Sequence, residues 1–133
     1  MKKSVFRFIV LTVLIVSLVG VSTVFAENSI KGKVVAFIPK VTGNSFFEAA
    51  NAGAQKYAEK WGITVKYMGS ATASVTDQLE VIQQAIDAGV DAIAISSVDA
   101  KALDEKLKEA QEQGIVVVTW DSDVSSDARS LMV

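Results

Sequence analysis

The chain has no cysteine, no histidine and a single proline in 133 residues. Without a thiol there is no disulfide, no thiolate metal site, no cysteine nucleophile and no lipid-modified cysteine anchor. Without an imidazole, the usual general base and the commonest transition-metal ligand are missing. So little proline argues against a disordered linker. Basic charge is also short, with 13 Lys and Arg against 15 Asp and Glu. What remains is half apolar, which suits one small globular domain plus one apolar segment.

Three of the basic residues, Lys2, Lys3 and Arg7, stand ahead of a nearly continuous apolar run over residues 8–25. Val24-Phe25-Ala26 then offers small residues where a signal peptidase reads. Residues 1–26 resemble a secretory signal peptide cleaved after Ala26. The rival is an uncleaved anchor, since about 18 apolar residues can span a bilayer. Ser17, Gly20, Ser22 and Thr23 weaken that reading, and the Val-Phe-Ala site favours cleavage. Membrane contact is therefore expected only through this segment, and the mature chain is expected in the periplasm or outside the cell. Cleavage leaves ten basic against fifteen acidic residues, a net charge of −5. No basic patch survives, so nucleic acid is not an expected partner.

Residues 27–133 read as one α/β sentence repeated. Residues 33–38, KVVAFI, form an apolar, β-branched first strand ending at Pro39-Lys40. Asn44 stands as N-cap of a helix over residues 45–60, with Phe46, Ala50, Gly53, Ala54, Tyr57 and Trp61 as its expected buried stripe. Gly62 ends that helix. Residues 63–67 are a second, alternating strand near a sheet edge. Ser74 caps a second helix with Val75, Leu79, Ile82 and Ile86 inward and Asp77 three residues past the cap. Residues 91–95 are a third strand with Ser96-Ser97 at its mouth. Asp99 is expected to cap a third helix, with Ala102, Leu103, Leu107 and Ala110 inward. The run IVVVT from Ile115 is a fourth strand. The helix-ending glycines, Gly62, Gly89 and Gly114, are 27 and 25 residues apart, the length of one helix-plus-strand unit. Consecutive right-handed crossovers follow, giving a parallel sheet with helices on both faces.

All four strands then end on one edge, where such sheets bind ligands. Lys40, Gly69-Ser70, Ser96-Ser97 and Trp120-Asp121 converge there. Enzyme readings fare poorly. No Gly-rich phosphate loop follows the first strand, and no serine has a histidine to activate it. Asp121 and Asp123 lie two residues apart on one loop, whereas glycosidase carboxylates flank their substrate. The Asp121-x-Asp123 spacing lacks the glycine and terminal glutamate of a calcium loop. No catalytic residue, metal site or cofactor is expected. A polyhydroxyl ligand fits better, because it needs bidentate polar groups and an aromatic plane. Lys40, Asn44 and Asp121 supply the first; Phe46, Phe47 and Trp120 supply the second. Each also has a plain structural role. Lys40 can be a solvated loop lysine and Asn44 a helix cap. Phe46 falls on the expected buried stripe and Phe47 off it. Trp120, just past a buried strand, suits packing better than ligand stacking. Asp123, Asp127 and Arg129 suit a surface turn with an ion pair.

The order signal segment, VVAFIPKVTGNSFFEAANAGAQKYAEKWGI, VDAIAISSVDAKAL and GIVVVTWDSDVSSDAR resembles the type I periplasmic binding proteins, the sugar-binding components of bacterial ABC importers. It is most similar to their autoinducer-2-binding and rhamnose-binding branch through Phe37-Ile38-Pro39-Lys40 and Thr119-Trp120-Asp121-Ser122-Asp123. The resemblance covers residues 33–133. It implies two α/β lobes with ligand in the cleft, a small sugar or autoinducer-2 as ligand, and an ABC permease as partner. It also implies that Lys40 donates to ligand hydroxyls and Asp121 accepts from two of them. Asn44, Phe46 and Phe47 match the family's N-x-F-F. Ser122 stands where the ribose type carries arginine, which disfavours ribose.

The sequence matches most of the first lobe alone. Residues 121–133 are a polar loop and then Leu-Met-Val, the start of a fifth strand, with no helix after it. The expectation is an incomplete lobe with part of one sheet face bare, as in a gene fragment or truncated reading frame. Two functions compete: solute binding for import or chemoreception, and a nonfunctional remnant. A sugar-responsive repressor core shares the fold but would carry a DNA-binding helix-turn-helix instead of a leader.

Overall fold

The computed structural model describes residues 30–133, so the expected leader and its Ala26 cleavage site lie outside the described residues. Five strands and three helices alternate: β1 (Val34–Ile38), α1 (Ser45–Trp61), β2 (Thr64–Tyr67), α2 (Val75–Asp87), β3 (Ala92–Ile95), α3 (Asp104–Glu112), β4 (Val116–Thr119) and β5 (Leu131–Met132). They form one sheet in the order β2-β1-β3-β4-β5. Every pairing is parallel, with Val35 opposite both Val65 and Ala92, and Val118 opposite Leu131.

The strand period of two sorts the side chains onto two faces. Ala36, Ile38, Ile93, Ile95 and Val117 meet Val81, Ile82, Ala85 and Ile86 of α2, Leu107 and Ala110 of α3, and Leu103 just ahead of α3 in the core. α1 covers the opposite face, where Phe37 and Trp120 lie under Phe47. On that same face Val116 is 49 % exposed and Leu131 is exposed too. The expected bare strip of sheet is therefore present among the described residues.

Two expectations about the helices are corrected. The buried stripe of α1 is turned by one residue. Phe47 is 7 % exposed and Ala58 is buried, while Phe46 is 57 % exposed and Tyr57 and Trp61 are half exposed. Phe47, Ala50, Asn51, Ala54 and Ala58 follow the i, i+3, i+4, i+7, i+11 rhythm of the inward face. The larger aromatics form a rival stripe. Tyr57 and Trp61 pack on each other outside, with ring centroids 5.4 Å apart. Small residues let α1 lie close to the sheet, so the side with the most apolar bulk is not the side that packs.

The second correction concerns α3. Asp99 Oδ1 accepts from Lys101 N at 2.9 Å and Ala102 N at 2.8 Å. That closes a turn before the helix, which starts at Asp104 with no side-chain cap. Ala102 is consequently exposed, while Leu103 is fully buried. The other caps stand as read. Asn44 Oδ1 accepts from Phe46 N at 2.9 Å, and Ser74 Oγ accepts from Asp77 N at 3.3 Å.

Candidate functional site

The strand order reverses between β1 and β3, the switch point at which open α/β sheets form a crevice. Three loops meet there. Pro39-Lys40 leaves β1, Ser96-Ser97 leaves β3, and Trp120-Asp121 leaves β4. A cavity of about 470 Å³ opens between them, lined by Lys40, Ser97, Val98, Asp99, Ala100, Asp121, Ser122 and Asp123.

Asp121 is its centre. Its φ is +60°, which no other described residue except glycine shares. A left-handed backbone is costly for most side chains, and Asp and Asn tolerate it best. The kink turns the chain sharply, with Ser122 N donating to Trp120 O at 2.6 Å. Ser97 N donates to Ser122 O at 3.2 Å and fixes the turn to the β3 loop. The carboxylate is thereby aimed across the strand ends. Lys40 Nζ lies 3.1 Å from Asp121 Oδ2, and Ser96 Oγ donates to the same oxygen at 2.7 Å. Lys40 Nζ also donates to Ser122 Oγ. Ser96 and then Lys40 hold the Asp121 carboxyl below the usual carboxylate range against the effect of burial. Its charge is thus kept at neutral pH. Among the described residues no hydrogen bond reaches Oδ1, whose lone pairs remain free to accept.

The neighbouring acid has a different job. Asp123 Oδ1 accepts from Arg129 Nε at 2.6 Å and from Thr119 Oγ1 at 2.6 Å. These two bonds lower its pKa to about 2. Asp127 lies 2.9 Å from Lys108. Asp123, Asp127 and Arg129 therefore tie down the loop after β4, as the sequence indicated.

A row of aromatic rings packs between α1 and the sheet, next to Asp121 in the chain but outside the lining of the cavity. Trp120 stacks on Phe37 at 4.6 Å and 9° between planes, and meets Phe47 edge-on at 5.8 Å. Phe46 meets Phe47 edge-on at 5.2 Å. Trp120 is thus a packed ring, and its indole nitrogen is buried without a partner among the described residues. Phe46, not Phe47, presents the exposed ring face. Asn44 caps α1 beside it and is itself exposed. At the far end of the row Tyr67 Oη donates to Glu48 Oε1 at 3.0 Å. Burial and that carboxylate push the phenol up to about 12.

The structure therefore brings Lys40 and Asp121 into direct contact. Phe47 and Trp120 pack against each other between α1 and the sheet, and Asn44 and Phe46 are exposed at the start of α1; none of the four lines the cavity. Ser96, expected at the mouth of the third strand, joins Lys40 and Asp121 through its bond to the carboxylate. One contributor was not singled out from the sequence. Gln78 was legible as a polar side chain in phase with Val81, Ile82 and Ala85 on the core face of α2, where a buried amide requires partners. Among the described residues no cluster of carboxylates has the make-up of a metal site.

A parallel sheet with helices on both faces and a charged, hydroxyl-rich crevice at its switch point is the architecture of open α/β modules whose crevices take ligands. The chain belongs to the type I periplasmic sugar-binding protein family, and the periplasmic binding protein domain matches residues 35–133. It is 33 % identical over 109 residues to the D-ribose/D-allose-binding protein of Pseudomonas aeruginosa, covering 80 % of this chain and 34 % of that protein. It is 27 % identical over 107 residues to the ribose import binding protein RbsB of Escherichia coli, again over 80 % of this chain and 36 % of that one. Among solved structures, LsrB from Clostridium saccharobutylicum in complex with AI-2 is 52 % identical with a TM-score of 0.73, covering 74 % of this chain and 30 % of that one. An ABC transporter solute-binding protein from Clostridium phytofermentas with bound L-rhamnose is 34 % identical, TM-score 0.70, covering 77 % and 32 %. The chain thus spans about a third of the length of these relatives.

Proposed function

We propose that residues 27–133 form most of one lobe of a solute-binding protein for an ABC import system, and that their strand-end crevice is one wall of the ligand cleft. The ligand class is a small polyhydroxyl compound, autoinducer-2 or a deoxy sugar such as rhamnose before ribose. The protein is a binder, not an enzyme, and works in the periplasm or cell envelope after cleavage behind Ala26. N-terminal sequencing of exported material is expected to begin at Glu27; a start at Met1 contradicts the leader.

The observation that carries the reading is the convergence of Lys40, Ser96 and Ser122 on Asp121. A charged donor and a charged acceptor side by side can each take a ligand hydroxyl, so that both charges stay hydrogen-bonded and close to each other. Asp121 Oδ1 offers a further acceptor. Phe46 and Asn44, both exposed at the start of α1, offer an apolar ring and an amide from outside the crevice lining. Ser122 in place of an arginine leaves room that a charged guanidinium would fill. Together with the 52 % identity to the AI-2-bound LsrB, this supports autoinducer-2 ahead of ribose.

A chimera tests the reading. Residues 27–133 are joined to the remaining length of the Clostridium saccharobutylicum LsrB and titrated calorimetrically with AI-2, L-rhamnose and D-ribose. Heat with one of the first two, and weaker or none with ribose, is expected. A folded chimera silent to all three overturns the proposal.

A further inference from the structure

One buried amide lies directly under the crevice without lining it. Gln78 is 4 % exposed on α2. An amide buried this deeply is costly unless bonded, and Gln78 is bonded at both ends. Its Nε2 donates to Pro39 O at 3.1 Å and to Ser96 O at 2.9 Å, and its Oε1 accepts from Val98 N at 2.9 Å. The partners belong to the loops leaving β1 and β3. The ladder between those strands closes with Ser96 N donating to Ile38 O at 2.9 Å. Beyond that bond the two chains part, and the Gln78 side chain supplies the next rungs.

Those rungs sit one covalent step from the site. Pro39 precedes Lys40, Ser96 carries the hydroxyl on Asp121, and Val98 lines the cavity. We propose that Gln78 is a positioning residue: its amide sets the separation of the β1 and β3 loops so that Lys40 and Ser96 reach the same oxygen of Asp121. A shape-matched leucine leaves two carbonyls and one N–H without partners, and each must move to find water. The consequence for ligand binding rests on the sugar-site reading above; the positioning itself does not, and it is tested without ligand.

The test follows the Asp121 carboxyl by carbon-detected NMR titration in the full chain, alongside thermal melting. The charged group facing Asp121 is Lys40; Asp123 is turned to Arg129 and Thr119. In Gln78→Leu the Asp121 pKa is expected to rise toward the ordinary carboxylate value as Ser96 and Lys40 draw away. Ile82→Val, a core change on the same helix, is expected to leave the Asp121 titration unchanged while lowering the melting temperature. Should Gln78→Leu fail to fold, Gln78→Glu decides. Its neutral carboxyl can donate to only one of the two carbonyls, so a smaller rise in the same direction is expected. A folded Gln78 variant with the parental Asp121 titration overturns the proposal. So does an Ile82→Val chain in which Asp121 moves as far as in the Gln78 variant. An absence of sugar binding by the parent bears on the earlier reading alone.

Discussion

At Asp121, backbone and side chain pull in one direction. The positive φ that few residues accept is what turns the carboxylate toward Lys40 and Ser96. Alanine would remove the side chain and strain the backbone together, so Asp121→Asn is the cleaner probe. Asparagine tolerates the left-handed region and keeps the shape. It is expected to change stability by no more than about 1 kcal/mol. Ligand affinity should fall about tenfold or more, because a bond to a charged acceptor is worth roughly 1.5–3 kcal/mol. Calorimetry and melting on the chimera separate the two effects. An Asp121→Asn protein that melts at a markedly lower temperature but keeps its affinity while folded would make the residue a structural cap.

Asp123 answers to pH instead. Its pKa falls from the ordinary 3.8 to about 2 on folding. Its contribution to stability is therefore complete above 3.8 and is lost as pH drops through about 2. Asp123→Asn is expected to flatten the acid limb of the melting temperature across that window. Parallel acid limbs for parent and variant would remove Asp123 from the account.

The elements show where sequence was enough. The three helix-ending glycines all have positive φ, and their spacing alone gave the βαβ period, the parallel sheet and the shared edge. The caps Asn44 and Ser74 were legible because a short polar side chain before an apolar rhythm has one strong use. The phase of α1 was not. Phe46, Phe47, Tyr57 and Trp61 offer two competing stripes, and only the close seat on the sheet favours the one with alanines. The site was half legible for the same reason. Strand ends locate Lys40 and Asp121, but the Gln78 contacts join residues 20 and 39 positions away, which no local period encodes.

Two glycines give opposite predictions at this scale. A Cβ at Gly89 meets nothing within 4 Å, but φ is +61°. Gly89→Ala should cost about 1–2 kcal/mol of backbone strain and leave the site alone. At Gly69 a Cβ would stand 2.9 Å from Thr42 Cγ2 and 3.1 Å from Pro39 Cγ. Gly69→Ala should push the loop that carries Lys40. Amide shifts at residues 39–42 and 121–122 distinguish them: small in Gly89→Ala, large in Gly69→Ala. Equal shifts in both would mean that the β1 loop is not seated on Gly69.

For the molecule as a whole, the sheet order is the decisive fact. It places β1 and β3 side by side at the centre and so brings three polar loops to one mouth. The apolar runs of β1, β3 and β4, each followed by a polar break, carry the three loops of that mouth. The 133-residue chain spans about a third of its relatives, and on the proposed reading residues 27–133 supply one wall of the cleft. A few hydrogen bonds formed against water, each worth about 0.5–1.5 kcal/mol, give on the order of millimolar affinity. Micromolar binding by this chain alone would mean that the crevice is more enclosed than the geometry allows. Among the described residues no helix is long and apolar enough to cross a membrane.

The most direct measurement is an amide-shift map of the 133-residue chain, labelled with nitrogen-15 and titrated with millimolar AI-2, L-rhamnose and D-ribose. The account predicts saturating shifts at Lys40, at 96–98 and at 120–123, with the rest of the sheet unmoved. It predicts their loss in Asp121→Asn. Shifts centred elsewhere, or none in a chain whose spectrum shows it folded, would contradict the claim that this strand-end crevice is a sugar-binding wall.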